Sequence, residues 1–232
     1  MKKISLDGHD LPWVDQVAHL GHTLQVDNSM SIDINRKRGI FIGKTNSLLQ
    51  EIHYASPYVL MTLLHSYACN IYGSNTWDLF SVDCQRLFTS YNVAVRNIHK
   101  LPRATHRYLL EPLTGSPHLY TLLLARYTTF VRSLLSNEAF EVRFMANLCL
   151  TDMRTVTGKS VAKISSMCNN ANISNLTAKL VKETVRYNVI PIEETWRIGL
   201  MNDMRMVLSS DSADIGLSID EATQLMEYAC VS

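Results

Sequence analysis

The fold class is decided by two β-patterned runs at the start of the chain, Ile4-Ser5-Leu6-Asp7-Gly8-His9-Asp10-Leu11-Pro12-Trp13-Val14 and Val17-Ala18-His19-Leu20-Gly21-His22-Thr23-Leu24. Apolar and polar residues alternate in both runs, and Asp7-Gly8 is a common turn dipeptide. The pattern predicts two or three short antiparallel strands. Gly21 inside the second run predicts a β-bulge or a close approach of another backbone. An ordinary hairpin packed on a helical domain explains the same pattern.

After these runs the apolar residues recur with a period near 3.6, which predicts helices for the rest of the chain. We expect Asp33 to cap the first helix, Pro57 to open the second and Gly73 to end it. A third helix is predicted over residues 82–99, and Pro102 is expected to start a short fourth. Further helices are predicted over residues 119–135, 138–153, 161–168, 176–187, 193–208 and 220–229. The expected fold class is mainly α, a helical array with a small N-terminal antiparallel β-hairpin or sheet.

Charge is distributed unevenly along the chain. The protein has 232 residues, 47% of them hydrophobic, and a net charge of +1. This length and composition are sufficient for a substantial core. Residues 34–188 contain 18 Lys and Arg against 8 Asp and Glu, whereas residues 189–232 contain 2 against 8. A chain polarised in this way can turn a basic face to phosphates while its acidic tail stays solvated.

Two groups of basic residues are candidates for phosphate binding. The planar fork of donors in arginine matches phosphate oxygens, and a band of such residues binds in a salt-sensitive, sequence-tolerant way. The first group, on the first predicted helix, is Arg36, Lys37, Arg38 and Lys44. The second group is Arg96, Lys100, Arg103, His106, Arg107, Arg126 and Arg132.

Tyrosines near the basic groups can stack on exposed bases or belong to the core. Four of them lie beside the second group, Tyr91, Tyr108, Tyr120 and Tyr127. Aromatic residues at helical spacing are more often core residues, so we assign binding to the arginines before the tyrosines. Tyr67, Ile71 and Tyr72 are predicted to continue the core-facing stripe of the second helix.

Six motifs follow one another along the chain: Leu6-Asp7-Gly8 to Val14, His19 to Leu24, Ile34-Asn35-Arg36-Lys37-Arg38, Tyr72-Gly73-Ser74 with Trp77, Asn92-Val93-Ala94-Val95-Arg96, and Leu101-Pro102-Arg103-Ala104-Thr105-His106-Arg107. In this order they resemble the C-terminal region of reverse transcriptases of non-LTR (LINE-like) retrotransposons. The resemblance covers residues 1–150, and the final third of the chain matches only loosely.

The resemblance implies a division of the chain into three parts. Residues 1–30 would be a β-hairpin resembling the end of the palm and the primer grip, 31–135 a thumb-like helical domain, and 136–232 a C-terminal helical region with an acidic tail. His19, Leu20 and Gly21 would form the grip that supports the primer end. The basic residues would hold an RNA-DNA template-primer duplex mainly by charge and shape. The expected nucleic-acid-binding residues are Arg36, Lys37, Arg38, Lys44, Arg96, Lys100, Arg103, Arg107 and Arg126.

The same resemblance implies that this chain does not catalyse polymerisation by itself. Polymerases of this family hold metal ions on Asp residues, and these lie upstream of the primer grip. The chain contains no adjacent Asp-Asp pair. We therefore expect no catalytic residue, no metal site and no cofactor here, because Mg²⁺ would belong to the palm. An upstream polymerase half is the expected protein partner.

Other chemical motifs fail on their spacing. The run from Gly39 to Thr45 has three residues between its glycines, whereas a P-loop needs four. The pairs His19 with His22 and His99 with His106 lack a Cys or carboxylate at ligand spacing.

The five cysteines form no C-x-x-C pair, which indicates a reducing compartment. Without a signal core or a membrane-length apolar run, we expect a nuclear or cytoplasmic location and no membrane partner.

A second hypothesis explains the chain as a helical protein-interaction module, or a degenerate retroelement remnant, that does not bind nucleic acid. The acidic tail would then matter more than the arginines. It would act together with a stripe of apolar residues, namely Val207, Leu208, Ile215, Leu217 and Ile219.

Overall fold

The computed structural model describes residues 5–6, 9–10, 13–27, 29–69, 71–169 and 172–188. In these ranges the chain is mainly helical with small antiparallel hairpins at its N-terminus, which confirms the predicted fold class. None of these helices combines the length and apolarity that a bilayer span requires. The Asp7-Gly8 turn, the helices predicted over 193–208 and 220–229, the acidic tail and the stripe from Val207 to Ile219 lie outside the described residues.

Two short hairpins open the chain. β1 (Ser5–Leu6) pairs with β2 (His9–Asp10), and β3 (Gln16–His19) pairs with β4 (His22–Gln25). Leu20 and Gly21 form the turn of the second hairpin, with φ of 46° and 79°. Left-handed values at both positions suit the twist of a two-residue hairpin turn. The β-bulge predicted at Gly21 is therefore wrong, because this glycine belongs to the turn.

Eight α-helices follow in the described ranges. They are α1 (Ser31–Glu51), α2 (Pro57–Leu63), α3 (Val82–Ile98), α4 (Arg107–Thr114), α5 (Leu119–Leu135), α6 (Phe140–Thr151), α7 (Val156–Met167) and α8 (Ala178–Asn188). α2 continues into one turn of π-helix, Leu64–Ala68, and a 3₁₀ turn covers Ser74–Thr76.

Local sequence signals set several of these boundaries. The hydroxyls of Ser56 and Ser81 cap α2 and α3 by accepting backbone amide protons. α4 begins at Arg107 and not at the predicted Pro102, because a turn precedes it in which the Thr105 amide bonds the Pro102 carbonyl at 3.0 Å. The prediction that Asp33 caps α1 is also wrong, since it is the third residue of the helix.

One hydrophobic cluster runs through the described helices. Its largest fully buried side chains include Trp77, Tyr91 and Tyr127, and each aromatic side chain of this kind removes about 150–250 Å² from water. α1 packs on α3, while α5 packs on α6 and α8. Val131 and Ile164, which lie on opposite sides of residue 135, both belong to this cluster. The predicted division at that residue stays a prediction.

Candidate nucleic-acid interface

The predicted grip hairpin is fastened to α1 by the buried carboxylate of Asp33, which is 0% exposed. Its Oδ1 accepts hydrogen bonds from the Thr23 amide at 3.2 Å and from Arg36 Nη2 at 3.0 Å. Its Oδ2 accepts from His22 Nδ1 at 3.0 Å and from Trp77 Nε1 at 3.1 Å. Four donors from three parts of the chain, namely β4, α1 and Trp77, therefore meet on one side chain.

Opposing effects act on the pKa of Asp33. Burial raises the pKa, but the hydrogen bonds from His22, Arg36, Trp77 and the Thr23 amide outweigh burial and hold it below its usual value. The carboxylate is therefore ionised at neutral pH. It joins β4, α1 and the residue that follows the 3₁₀ turn.

The three predicted grip residues lie at the exposed tip of the second hairpin. His19 ends β3, and Leu20 and Gly21 form the turn, with Leu20 73% exposed. Arg36 donates a hydrogen bond to the carbonyl oxygen of Gly21. The structure thus brings the tip of the hairpin together with the first residue of the basic group on α1.

Gly73 allows the hairpin to approach the segment that follows α2. It has φ of +80°, and a Cβ built on it would lie 1.6 Å from Cε1 of His22. The ring of the preceding residue, Tyr72, lies 5.6 Å from the His22 ring, measured between centroids. Only glycine fits this contact, because both the backbone angle and the space exclude a side chain.

The basic residues of α1 do not form a single band. Lys37 and Lys44 are seven residues apart, about two helical turns, and therefore share a face. Lys37 Nζ lies 5.9 Å from the centroid of the Tyr72 ring. Lys44 Nζ donates to the Tyr67 carbonyl at 3.0 Å and lies 4.5 Å from the centroid of that ring. Arg38 instead donates from Nε to Ser90 Oγ on α3 at 2.8 Å.

A third cation reaches the same segment from α5. Arg126 donates from Nη1 to the Cys69 carbonyl at 3.4 Å. We call residues 67–69 and 71–75 the tyrosine segment, because it presents Tyr67 and Tyr72, which are 51% and 65% exposed. Among the described residues, no carboxylate forms an ion pair with Lys37, Lys44 or Arg126. Their positive charge therefore remains available to a ligand.

The prediction that the core-facing stripe of the second helix continues beyond Leu64 is confirmed for Ile71, which is buried, and wrong for Tyr67 and Tyr72. The helix ends in a π turn at Ala68, and both rings are exposed. Of the four tyrosines beside the second basic group, Tyr91 and Tyr127 are buried, which confirms the core assignment for these two.

The second basic group is divided between internal and exposed residues. Arg96 donates from Nε and Nη2 to the Thr105 carbonyl at 2.9 and 2.6 Å, and burial lowers its pKa. It braces the loop between α3 and α4. Lys100, Arg103 and Arg107 are exposed around that loop. Within the described part of the chain, no carboxylate forms an ion pair with Lys100 or Arg103.

A cavity of about 630 Å³ lies between the tyrosine segment, α5 and the first turns of α8. Its walls include the aromatic rings of Tyr72 and Phe130 and the cations Arg126 and Lys182. None of the described residues that line it is an Asp or a Glu. The described ranges contain no group of three or more His, Cys, Asp or Glu residues arranged to share a metal ion.

Comparisons with models of protein families, with curated proteins and with solved structures find no match to this chain.

Proposed function

We propose that this protein binds an RNA-DNA template-primer duplex as a non-catalytic, thumb-like part of an RNA-directed DNA polymerase of the non-LTR retrotransposon type. The observation that carries the proposal is the convergence of Lys37, Lys44 and Arg126 on the tyrosine segment, which exposes two tyrosines, without a neutralising carboxylate among the described residues. Cations of this kind attract phosphates and release counterions. Exposed rings add stacking that tolerates any base.

The exposed cations of the loop between α3 and α4 provide a second contact. Lys100, Arg103 and Arg107 reach solvent, and they would track the backbone of an A-like duplex by charge and shape. Arg36, Arg38 and Arg96 have internal partners. In this proposal they hold the hairpin, α3 and the loop in position, and they add to the positive potential without being the main phosphate ligands.

The hairpin would contact an upstream polymerase half that performs catalysis with its own Mg²⁺. Val17 faces Leu24 across the strands, and both side chains are exposed, as is Leu20 at the tip. A two-stranded hairpin has marginal stability alone, and exposed apolar side chains on it mark a contact surface. The complete polymerase would work inside the cell, in the nucleus or cytoplasm.

Fluorescence anisotropy with a labelled RNA-DNA duplex tests the proposal. We expect the affinity to fall steeply between about 50 and about 200 mM salt. Removing charge with the pair Lys37→Gln and Lys44→Gln, or with Arg103→Gln and Arg107→Gln, should weaken binding and reduce the salt slope by about 1 for each phosphate that is no longer neutralised. Lys159→Gln on α7 removes an exposed charge outside both groups and should leave binding unchanged. Failure to bind any duplex, independent of salt, would contradict the proposal.

A helical protein-interaction module is the second candidate, and one observation favours it. α6 exposes Phe140, Phe144, Met145 and Leu148, which form a row of large apolar side chains of the kind that marks protein contacts. In this alternative Phe144→Ser abolishes partner binding while the lysine and arginine variants have no effect. In the nucleic-acid proposal Phe144→Ser leaves duplex affinity unchanged.

A further inference from the structure

We infer that the cavity between the tyrosine segment, α5 and α8 binds one nucleotide unit, with its base against Tyr72 and Phe130 and its phosphate on Arg126 and Lys182. The inference rests on the proposed function and specifies a site within it. A volume of about 630 Å³ falls in the range of small-ligand sites, about 300–1,000 Å³.

The charges of the cavity select an anion. Arg126 approaches from α5 and Lys182 from α8, and the described lining residues include no carboxylate. The hydrogen bond from Arg126 Nη1 to the Cys69 carbonyl orients the guanidinium. A guanidinium has five N–H donors, so others remain for phosphate oxygens. Two cations on separate helices suit the spread negative charge of a phosphate.

The apolar walls indicate that the ligand also carries a flat ring. Ile71, Leu122 and Phe130 line the cavity together with the ring of Tyr72. Contacts with the His22 ring and Lys37 Nζ hold Tyr72 in place on the tyrosine segment. A site for inorganic phosphate alone would not need such walls, whereas a base gains stacking from an aromatic surface that is already positioned.

The hydroxyl groups of the cavity present acceptors to the ligand. Thr129 Oγ1 donates its proton to the Ala125 carbonyl at 3.0 Å, and Ser133 Oγ donates to the Phe130 carbonyl at 2.7 Å. With their protons used inside α5, both oxygens have only lone pairs to offer. The amino group of a base such as adenine or cytosine provides the matching donor.

Three probes test the inference: a blunt RNA-DNA duplex, the same duplex with a short single-stranded overhang, and free AMP. We expect the overhang to raise affinity about tenfold over the blunt duplex, the contribution of a stacked base. Lys182→Gln removes a cation and Ser133→Trp fills the cavity, and each should abolish that gain. Lys179→Gln is the matched control, since Lys179 is an exposed lysine of the same helix that pairs with Glu183 at 3.9 Å and should keep the gain.

The outcomes separate this inference from the proposed function. Equal affinity for blunt and overhang duplexes, or a gain that survives both Lys182→Gln and Ser133→Trp, overturns the cavity site while duplex binding stands. If no duplex binds but AMP binds the wild type and not Lys182→Gln, the cavity site stands, its ligand is a free nucleotide, and the proposed function falls. A gain with the overhang and none with AMP assigns the cavity to a strand end.

Discussion

Replacing Asp33 with asparagine tests whether one buried carboxylate fastens the hairpin to the helices. The asparagine side chain has the same shape but presents an NH₂ group where one oxygen was. Either orientation of the amide removes two of the four accepted hydrogen bonds and sets donor against donor. Hydrogen bonds to charged groups contribute about 1.5–3 kcal/mol each. We therefore expect Asp33→Asn to lower the free energy of unfolding by about 3–5 kcal/mol.

Urea unfolding followed by far-ultraviolet circular dichroism measures this change, and hydrogen exchange of the Thr23 amide locates it. The Thr23 amide donates to Asp33 in the native protein, so its exchange should accelerate in the variant. Asp83→Asn is the matched control. Asp83 accepts from Asn35 Nδ2 and Arg86 Nη1, each at 3.1 Å, but is partly exposed, so its replacement should cost about 1 kcal/mol or less.

The reasoning would be refuted if Asp33→Asn and Asp83→Asn lowered the free energy of unfolding equally. It would also be refuted if the Thr23 amide kept its protection from exchange in Asp33→Asn. Either result would mean that the hairpin is held by interactions other than those of the carboxylate.

Three further predictions concern buried or strained positions. Burial lowers the pKa of His118 from 6.5 to about 4, so the folded state disfavours the charged imidazole. The free energy of unfolding should therefore be highest above pH 6.5 and fall by about 3 kcal/mol as the pH drops to about 4. His118→Asn, which can still cap α5, should flatten that part of the pH profile measured by urea unfolding. Gly73→Ala should lower the free energy of unfolding by about 1–3 kcal/mol, because the new Cβ clashes with the His22 ring. Adding His22→Ala should restore part of that loss. If the effects of the two substitutions are fully additive, the clash is excluded. Lys100 follows α3 with φ of 53°, so Lys100→Gly should raise the free energy of unfolding by about 0.5–1 kcal/mol. The same substitution should weaken duplex binding because it removes a cation. Unchanged affinity would show that Lys100 is not part of the interface.

Local signals in the sequence explain why the start of α2 and both ends of α5 could be predicted correctly. Pro57 opens α2, and α5 covers the predicted residues 119–135. Proline geometry, caps and apolar period act within a few residues of the chain, so they can be recognised without knowing the fold. The predicted start of the fourth helix at Pro102 is wrong because proline is also common in turns, and Pro102 lies in the turn that precedes Arg107.

The composition of the candidate interface could be predicted only in part. The basic residue types and the Tyr72-Gly73-Ser74 motif are visible in the sequence, but their partners are not. Basic residues on different faces of one helix contact different neighbours. Lys37 and Lys44 contact the tyrosine segment, whereas Arg38 donates a hydrogen bond to Ser90. The exposure of Tyr67 and Tyr72 is likewise a property of the folded chain that no pattern in the sequence indicated.

The sequence by itself determined the helical class, the N-terminal hairpin and the excess of positive charge in residues 34–188. Apolar period, turn residues and composition are properties of neighbouring residues, so no knowledge of the fold is needed to recognise them. Tertiary structure alone decided the role of Asp33, whose partner Trp77 is 44 residues away, and the meeting of α5, α8 and the tyrosine segment around one cavity. Such contacts depend on which faces pack together, and packing is settled by the whole core at once and not by any local stretch of chain.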